Sequence, residues 1–247
     1  LGENQKINLK ATLSYQNAIY ETSYNDVEVL GSGGSVLTYV SKGDGGYITP
    51  ADTRRSDALY IAAKETDAQS YTILNKGKPI LYVKWRESVA SAPNAQMGSP
   101  SLFRKEDGTY GLVASANNKG PGIYLWDSDD LITFKNERYV RINSDNSAVE
   151  DPKIIFDIAS NSYKLFWKSS NGIESFVSTS KDGLNSFTEK SPAEYIDYGI
   201  KGILPDNAVA NETSEFELTA LEYERIIRKY DTVRNIGIEN IKNINIQ

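Results

Sequence analysis

The chain has 247 residues, 39% of them hydrophobic and 24% charged, an ordinary globular composition that argues against overall disorder. Its net charge of −6, with Lys and Arg scattered, excludes the clustered basic surface that a nucleic-acid partner requires. There is no Cys and no His, so disulfides, thiol nucleophiles, Cys- or His-ligated metals and Ser-His-Asp arrangements are all excluded, and acid–base chemistry falls to Asp, Glu, Tyr or Lys.

The N-terminal LGENQKINLK has no apolar signal core, which fits either a cytosolic protein or one whose signal has been removed. No segment reaches 18 consecutive apolar residues, so no membrane insertion is expected. Residues 1–34 are expected to supply outer or closing strands. VLTYVSK (36–42) reads as the second strand of a unit completed by DALYIAAKETDAQSYTILNKG (57–77), with the Gly- and charge-rich GDGGYITPADTRRS between them as a loop. The segment VKWRESVASAPNAQ is irregular and carries Trp85 and Arg86.

Two units then align. SPSLFRKEDGTYGLVASA (99–116) matches DPKIIFDIASNSYKLFWKSS (151–170), and GIYLWDSDDLITFKNERYV (122–140) matches IESFVSTSKDGLNSFTEKS (173–191). Pro100 to Pro152 is 52 positions, and Tyr110 to Tyr163 and Phe134 to Phe187 are each 53. A period near 50 with about four short strands per unit predicts an all-β chain of β-propeller type. YIDYGI (195–200) begins like another innermost strand, but GILPDNAVANETSEFEL supplies no second half-unit. TALEYERIIRKY predicts a helix over 219–230, with Thr219 and Glu222 as a capping box and Tyr223, Ile226, Ile227 and Tyr230 on one face. Residues 232–247 read as a linker or the start of a following domain. The expected division is therefore 1–217 propeller, 218–231 helix packing on it, and 232–247 linker.

The x-Pro-apolar strand starts MGSPSLF and VEDPKIIFD, the G-x-Y strand starts and the outer-strand pattern of SDDLITF and SKDGLNSF resemble the five-bladed propellers of glycoside hydrolase family 43, the arabinofuranosidase and xylosidase type, over roughly residues 35–230. SKDGLNSF is also similar to the sialidase Asp-box, except that Gly follows Asp182 directly. The resemblance implies a five-bladed propeller, complete or incomplete within this chain. It further implies a module of a larger bacterial secreted or cell-surface protein, with an oligo- or polysaccharide partner, further domains of the same chain and no cofactor or metal.

The resemblance also implies three carboxylates at innermost-strand starts: a base Asp before Pro, an orienting Asp after Pro and an acid Glu. Here Ser99 stands where the base Asp is expected, and Lys153 stands where the orienting Asp is expected. Glu150 and Asp151 share one strand start, and Asp197 is offered at a third. Glu150, Asp151 and Asp197 are thus the catalytic candidates, each set against the alternative of a carboxylate capping local backbone donors. Ser99, Lys153, Trp85, Arg86, Trp167 and Arg55 are the substrate-binding candidates. Trp167 and Trp126, both mid-strand, read as core before sugar platform, while Asp127, Asp129, Asp130 and Asp182 read as turn residues bonding backbone. Three functions follow as expectations. The first is a carbohydrate-recognising module with a degraded carboxylate set; the second is an active exo-acting glycosidase on arabinofuranosyl or xylosyl residues; the third is a protein-interaction propeller without sugar affinity.

Overall fold

The computed structural model describes residues 5–15, 18–29, 31–41, 47–48, 53–54, 58–84, 97–116 and 120–231. In chain order the strands are β1 (Gln5–Tyr15), β2 (Ala18–Val29), β3 (Ser32–Ser41), β4 (Tyr47–Ile48), β5 (Thr53–Arg54), β6 (Tyr60–Lys64), β7 (Thr72–Ile73), β8 (Met97–Arg104), β9 (Tyr110–Ala116), β10 (Gly122–Ser128), β11 (Lys135–Arg141), β12 (Glu150–Asp157), β13 (Ser162–Lys168), β14 (Ser175–Ser180), β15 (Ser191–Pro192) and β16 (Ala208–Thr219). Among the described residues one α-helix, α1 (Ala220–Tyr230), follows β16 directly, and a single 3-10 turn lies at Asn75–Gly77. The all-β expectation with one C-terminal helix is met.

Among the described residues, three four-stranded antiparallel sheets form, ordered β16-β3-β6-β7, β8-β9-β10-β11 and β12-β13-β14-β15. We call them sheets I, II and III. Sheets II and III run strand for strand in the same order, as the 53-residue repeat requires. Even their irregularities coincide. In β8 the ladder shifts between Gly98 and Ser101, and in β12 between Glu150 and Lys153, so each strand carries one extra residue just before or at its proline. Ser99 and Asp151, the residues before Pro100 and Pro152, sit at φ 44° and 49°. A β-branch-free residue in this left-handed region tightens the bulge and re-aims the strand start.

The repeat also fixes the outer turns. Ser128 Oγ and Ser180 Oγ accept the N–H of Leu131 and Leu184 at 2.9 and 3.1 Å. Asp130 takes the N–H of Ile132 and Thr133, while Asp182 takes those of Asn185 and Ser186. Leu131 and Leu184 hold φ 63° and 71° and bury their side chains. The turn reading therefore holds for Asp130 and Asp182. Asp127 does otherwise: it pairs with Lys105 and, at 3.1 Å, with Arg138, and Asp129 pairs with Lys135.

Two expectations are corrected. The strand that opens sheet I is β16, from the C-terminal part of the chain, whereas β1 and β2 pair only with each other among the described residues. YIDYGI forms no strand; residues 193–200 are irregular, and the apolar alternation of NETSEFELT supplies the innermost strand instead. VLTYVSK lies in β3, the second strand, as read.

Packing follows from this order. Sheets I and II share a core with α1 that includes Val36, Ile61, Leu112, Trp126, Tyr223 and Ile226. Sheets II and III share Val113, Ile123, Leu125, Ile154, Leu165 and Trp167. The outer face of sheet I, with Leu37, Tyr39 and Ala62, is covered by Ile200 and Leu204 from the 193–207 connection. The helix buries Tyr223, Ile226, Ile227 and Tyr230, and its capping box is formed as Thr219 and Glu222 predict. Tyr230 also donates its hydroxyl to Ile132 O at 3.1 Å. Gly33 makes this approach possible, because a Cβ there would stand 2.6 Å from Ala220 Cα and 2.7 Å from Thr219 O.

Glu222 serves more than the cap. Arg104 of β8 donates to both its carboxylate oxygens at 2.6 and 2.8 Å, Tyr110 donates its hydroxyl, and Thr219 N–H donates at 2.7 Å. Burial pulls the Glu222 pKa upward, but Arg104, Tyr110 and the Thr219 amide outweigh it and hold the pKa down at about 2. Two outcomes are expected in urea unfolding. Glu222→Gln should cost about 2 kcal/mol, less than a fully enclosed ion pair because Arg104 is half-exposed. The wild type should lose stability as pH falls from 4.5, the unfolded value, towards 2, while the variant stays flatter across that window. Gly33→Ala should destabilise by about 1–3 kcal/mol through displacement of α1.

Candidate functional site

The first strands of the three sheets, β16, β8 and β12, lie side by side, with β8 packed against both neighbours. Thr38 donates its hydroxyl to Pro100 O at 2.7 Å, and Ser101 Oγ meets Ser214 Oγ at 3.0 Å, which ties β8 to sheet I. Two cavities open along these strands. The larger, about 580 Å³, is walled by β8, β12 and β16 and includes Leu102, Ile154, Phe156, Ile158 and Phe216. The smaller, about 270 Å³, lies towards the strand starts and includes Asp151, Lys168, Asp197, Asn211 and Thr213. Lys153, Tyr198, Gly199, Ser214 and Glu215 line both, so the two cavities adjoin along this shared wall.

Asp151 sits at the centre of the smaller cavity's charge. The bulge before Pro152 turns its carboxylate between two ammonium groups: Lys153 Nζ is 3.0 Å from Oδ1, and Lys168 Nζ donates to Oδ2 at 3.0 Å. Lys168 in turn lies 4.0 Å over the Tyr195 ring, and the Tyr195 hydroxyl donates to Asp151 O at 2.8 Å. Burial raises the Asp151 pKa, yet the adjacent Lys153, with Tyr195 and Lys168, outweighs it and leaves the carboxyl below its ordinary 3.8. Tyr195 responds in the opposite direction: burial and the Asp151 charge both push its phenol up. The arrangement stores a fixed anion between fixed cations. It holds no proton to give.

Glu215 is the second carboxylate of this wall, and the sequence reading missed it. It accepts the Lys201 N–H at 2.6 Å and faces Lys64 Nζ at 3.7 Å, both side chains of the pair being buried. Burial raises its pKa, but the Lys201 amide, the Ser35 and Tyr71 hydroxyls and the Lys64 charge bring it below its ordinary value. Tyr71 is raised in turn by burial and by Glu215. The signal available in the sequence was the alternation Thr213-Ser-Glu215-Phe-Glu217-Leu, which marks a strand with one acidic face.

The other candidates disperse. Glu150 is half-buried opposite Lys168 in the ladder and lines neither cavity. Asp197 lies exposed on the rim and accepts the Gly199 N–H at 2.8 Å, a local turn bond. Ser99 is buried in its bulge outside both cavities. Lys153 lines both cavities, but its ammonium is committed to Asp151. Trp167 is 0% exposed and packed against Phe176 with ring centres 5.7 Å apart, so no sugar ring can lie on it; its strand position on the face shared by Tyr163 and Leu165 explains this. Trp126 is core, donating its indole N–H to Glu137 at 3.1 Å. Trp85, Arg86 and Arg55 lie outside the described residues. No group of three or more carboxylates among the described residues is placed to hold a metal ion, and no described helix is long and apolar enough to cross a membrane.

Comparison with known proteins gives one match. A family model related to glycoside hydrolase family 43, described as a probable glycosyl hydrolase domain, matches residues 46–189, a span that includes β8 through β14 and both repeated units. No curated protein and no solved structure matches the chain.

The charge arrangement makes a stability prediction. Asp151→Asn should leave Lys153 and Lys168 facing each other without a counter-ion and cost about 2–3 kcal/mol near neutrality. Because the folded Asp151 pKa lies below 3.8, its contribution is present above that value and fades as pH falls through the folded pKa. The gap between variant and wild type in denaturant melts should therefore narrow below pH 3.8. A gap that persists unchanged at low pH would assign the loss to packing.

Proposed function

The chain belongs to this family of glycosyl hydrolase domains related to family 43, and from that premise we propose that it is a carbohydrate-recognising module whose carboxylate set no longer supports hydrolysis. In this reading the three sheets are blades of a propeller of the five-bladed lineage, and the ligand is an oligo- or polysaccharide presented to a secreted or surface protein with further domains. The chain order of strands within sheets II and III, from inner to outer, supports the blade interpretation.

One observation carries the non-hydrolytic reading: Asp151 is bracketed by Lys153 and Lys168 at 3.0 Å each. Inverting hydrolysis needs a carboxylic acid whose pKa is raised so that it can protonate the leaving oxygen, and a carboxylate base across the ring roughly 6.5–9.5 Å away. The two cavity carboxylates with shifted pKa values, Asp151 and Glu215, are both shifted downward. Ser99, at the repeat-equivalent position of Asp151, offers no carboxylate at all. Sugar binding makes no such demand. It needs hydroxyl partners, which Asp151, Asn211, Thr213 and Ser214 provide, and an apolar ring face, which Tyr198 at the shared wall offers.

The test sets turnover beside binding. Wild type, Asp151→Asn and Glu215→Gln should all hydrolyse nitrophenyl arabinofuranoside and xyloside at background rates. Calorimetric titration with xylo- and arabino-oligosaccharides should show binding that Asn211→Ala or Thr213→Ala weakens about three- to tenfold. Robust wild-type turnover, lost by the factor of roughly 10² or more typical of a removed acid or base in either carboxylate variant, would establish an active glycosidase instead.

A further inference from the structure

We propose that the two adjoining cavities together accommodate a glycoside bearing a large apolar aglycone, with the sugar in the smaller cavity and the aglycone in the larger. The inference rests on the carbohydrate reading above and assigns the ligand's second half. The smaller cavity is lined by hydrogen-bonding groups, among them Asp151, Lys168, Asn211 and Thr213. The larger is lined by apolar residues from all three strands, Leu102 of β8, Ile154 and Phe156 of β12 and Phe216 of β16, of which Phe156 and Phe216 are only partly buried in the cores.

Charged groups on the larger wall do not offset this, because six of the seven are already matched, Lys153 with Asp151 among them. Arg104 is bidentate to Glu222 at 2.6 and 2.8 Å, Lys105 pairs with Asp127, Lys201 pairs with Glu217 at 2.6 Å, and Glu215 faces Lys64 at 3.7 Å. What remains on the wall, apart from Glu106 and the two serines, is apolar. Two large apolar side chains stand in solvent at its margin, Ile158 at 85% and Tyr198 at 65% exposure. Exposed apolar groups gathered around a concavity mark a binding site more than scattered ones do. A cavity of about 580 Å³ also exceeds what the polar end alone would need, and falls in the range of small-molecule pockets.

The two compartments meet at Tyr198, Ser214 and Glu215, where a glycosidic oxygen would pass from hydroxyl partners to apolar ones. A plain sugar chain running on into the larger compartment would set its hydroxyls against Ile154, Phe156 and Phe216, and each unpartnered hydroxyl would cost affinity.

Calorimetry with three probe types on the intact chain decides the matter: methyl, p-nitrophenyl and naphthyl glycosides of xylose and arabinose, and xylotriose and arabinotriose. Burial of an aryl group is worth about a factor of ten or more in affinity, so the aryl glycosides should bind at least tenfold tighter than their methyl counterparts. Ile158→Asp, at an exposed position that the fold does not need, should remove most of that gain and leave methyl glycoside affinity unchanged. Tyr198→Ala should weaken both, since it borders both compartments. Methyl and aryl glycosides binding equally would overturn the aglycone assignment while leaving sugar recognition standing, as would trisaccharides binding tighter than aryl glycosides. Silence from all the methyl glycosides and trisaccharides, with the aryl glycosides silent too, would overturn both readings together.

Discussion

The pairing of Arg104 with Glu222 ties the C-terminal helix and sheet I to a strand 118 positions away. Glu222 caps α1, α1 grows directly out of β16, and β16 opens the sheet that β3, β6 and β7 complete. Arg104 belongs to β8, the first strand of the neighbouring sheet, and its guanidinium lies over the Tyr110 and Phe216 rings at 5.4 and 5.0 Å. One carboxylate thereby anchors helix, sheet I and sheet II. Removing a carboxylate from water is costly, and the cost is recovered only because charged and neutral donors converge on both oxygens. Without β16 in place, β3 would present an unpaired edge, both cavities would lose Ser214 and Glu215, and the larger would lose Phe216 as well.

With β16 fixed, the geometry of the site follows from the strand starts. The same one-residue bulge occurs in β8 and β12, each with a left-handed residue before proline, but the side chains placed there differ. In sheet II it is Ser99, enclosed; in sheet III it is Asp151, aimed at two lysines. One backbone device thus serves both strand starts, and the electrostatics around the two side chains differ. An anion held between cations is a good hydrogen-bond acceptor for hydroxyls and a poor proton donor. Family membership therefore does not by itself decide hydrolysis, because protonation chemistry depends on what stands within a few ångströms of each carboxylate.

What could be read from the sequence was what local order determines. The 53-residue repeat exposed sheets II and III, because turns such as those at Asp130 and Asp182 are built from consecutive residues that bond their own backbone. The helix was legible for the same reason: its cap and its buried face lie within twelve residues of chain. Long-range pairing was not. NETSEFELT joins β3 across 174 to 187 positions, and nothing local distinguishes it from an edge strand. YIDYGI carried the better strand pattern, but Asp197 bonds the Gly199 amide and Gly199 takes φ 65°, so the segment turns instead of extending. Asp151 was found as a site candidate, and its pairing with Lys153 was within reach of spacing alone. Lys168 was not, since only the β12–β13 register brings a residue 17 positions away to the second carboxylate oxygen. Tyr195 and Glu215 were missed for the same reason.

The account depends most on the protonation state of Asp151, and that state can be read directly. Carboxyl carbon chemical shifts of the wild-type chain, followed from pH 7 to pH 2 and assigned against Asp151→Asn, would report it without any assumption about substrate. The Asp151 carboxyl is expected to stay ionised through the weakly acidic range and to titrate below 3.8, under the charges of Lys153 and Lys168. A midpoint above pH 5 would contradict it, because such a carboxyl would be a competent general acid and the case against hydrolysis would fall.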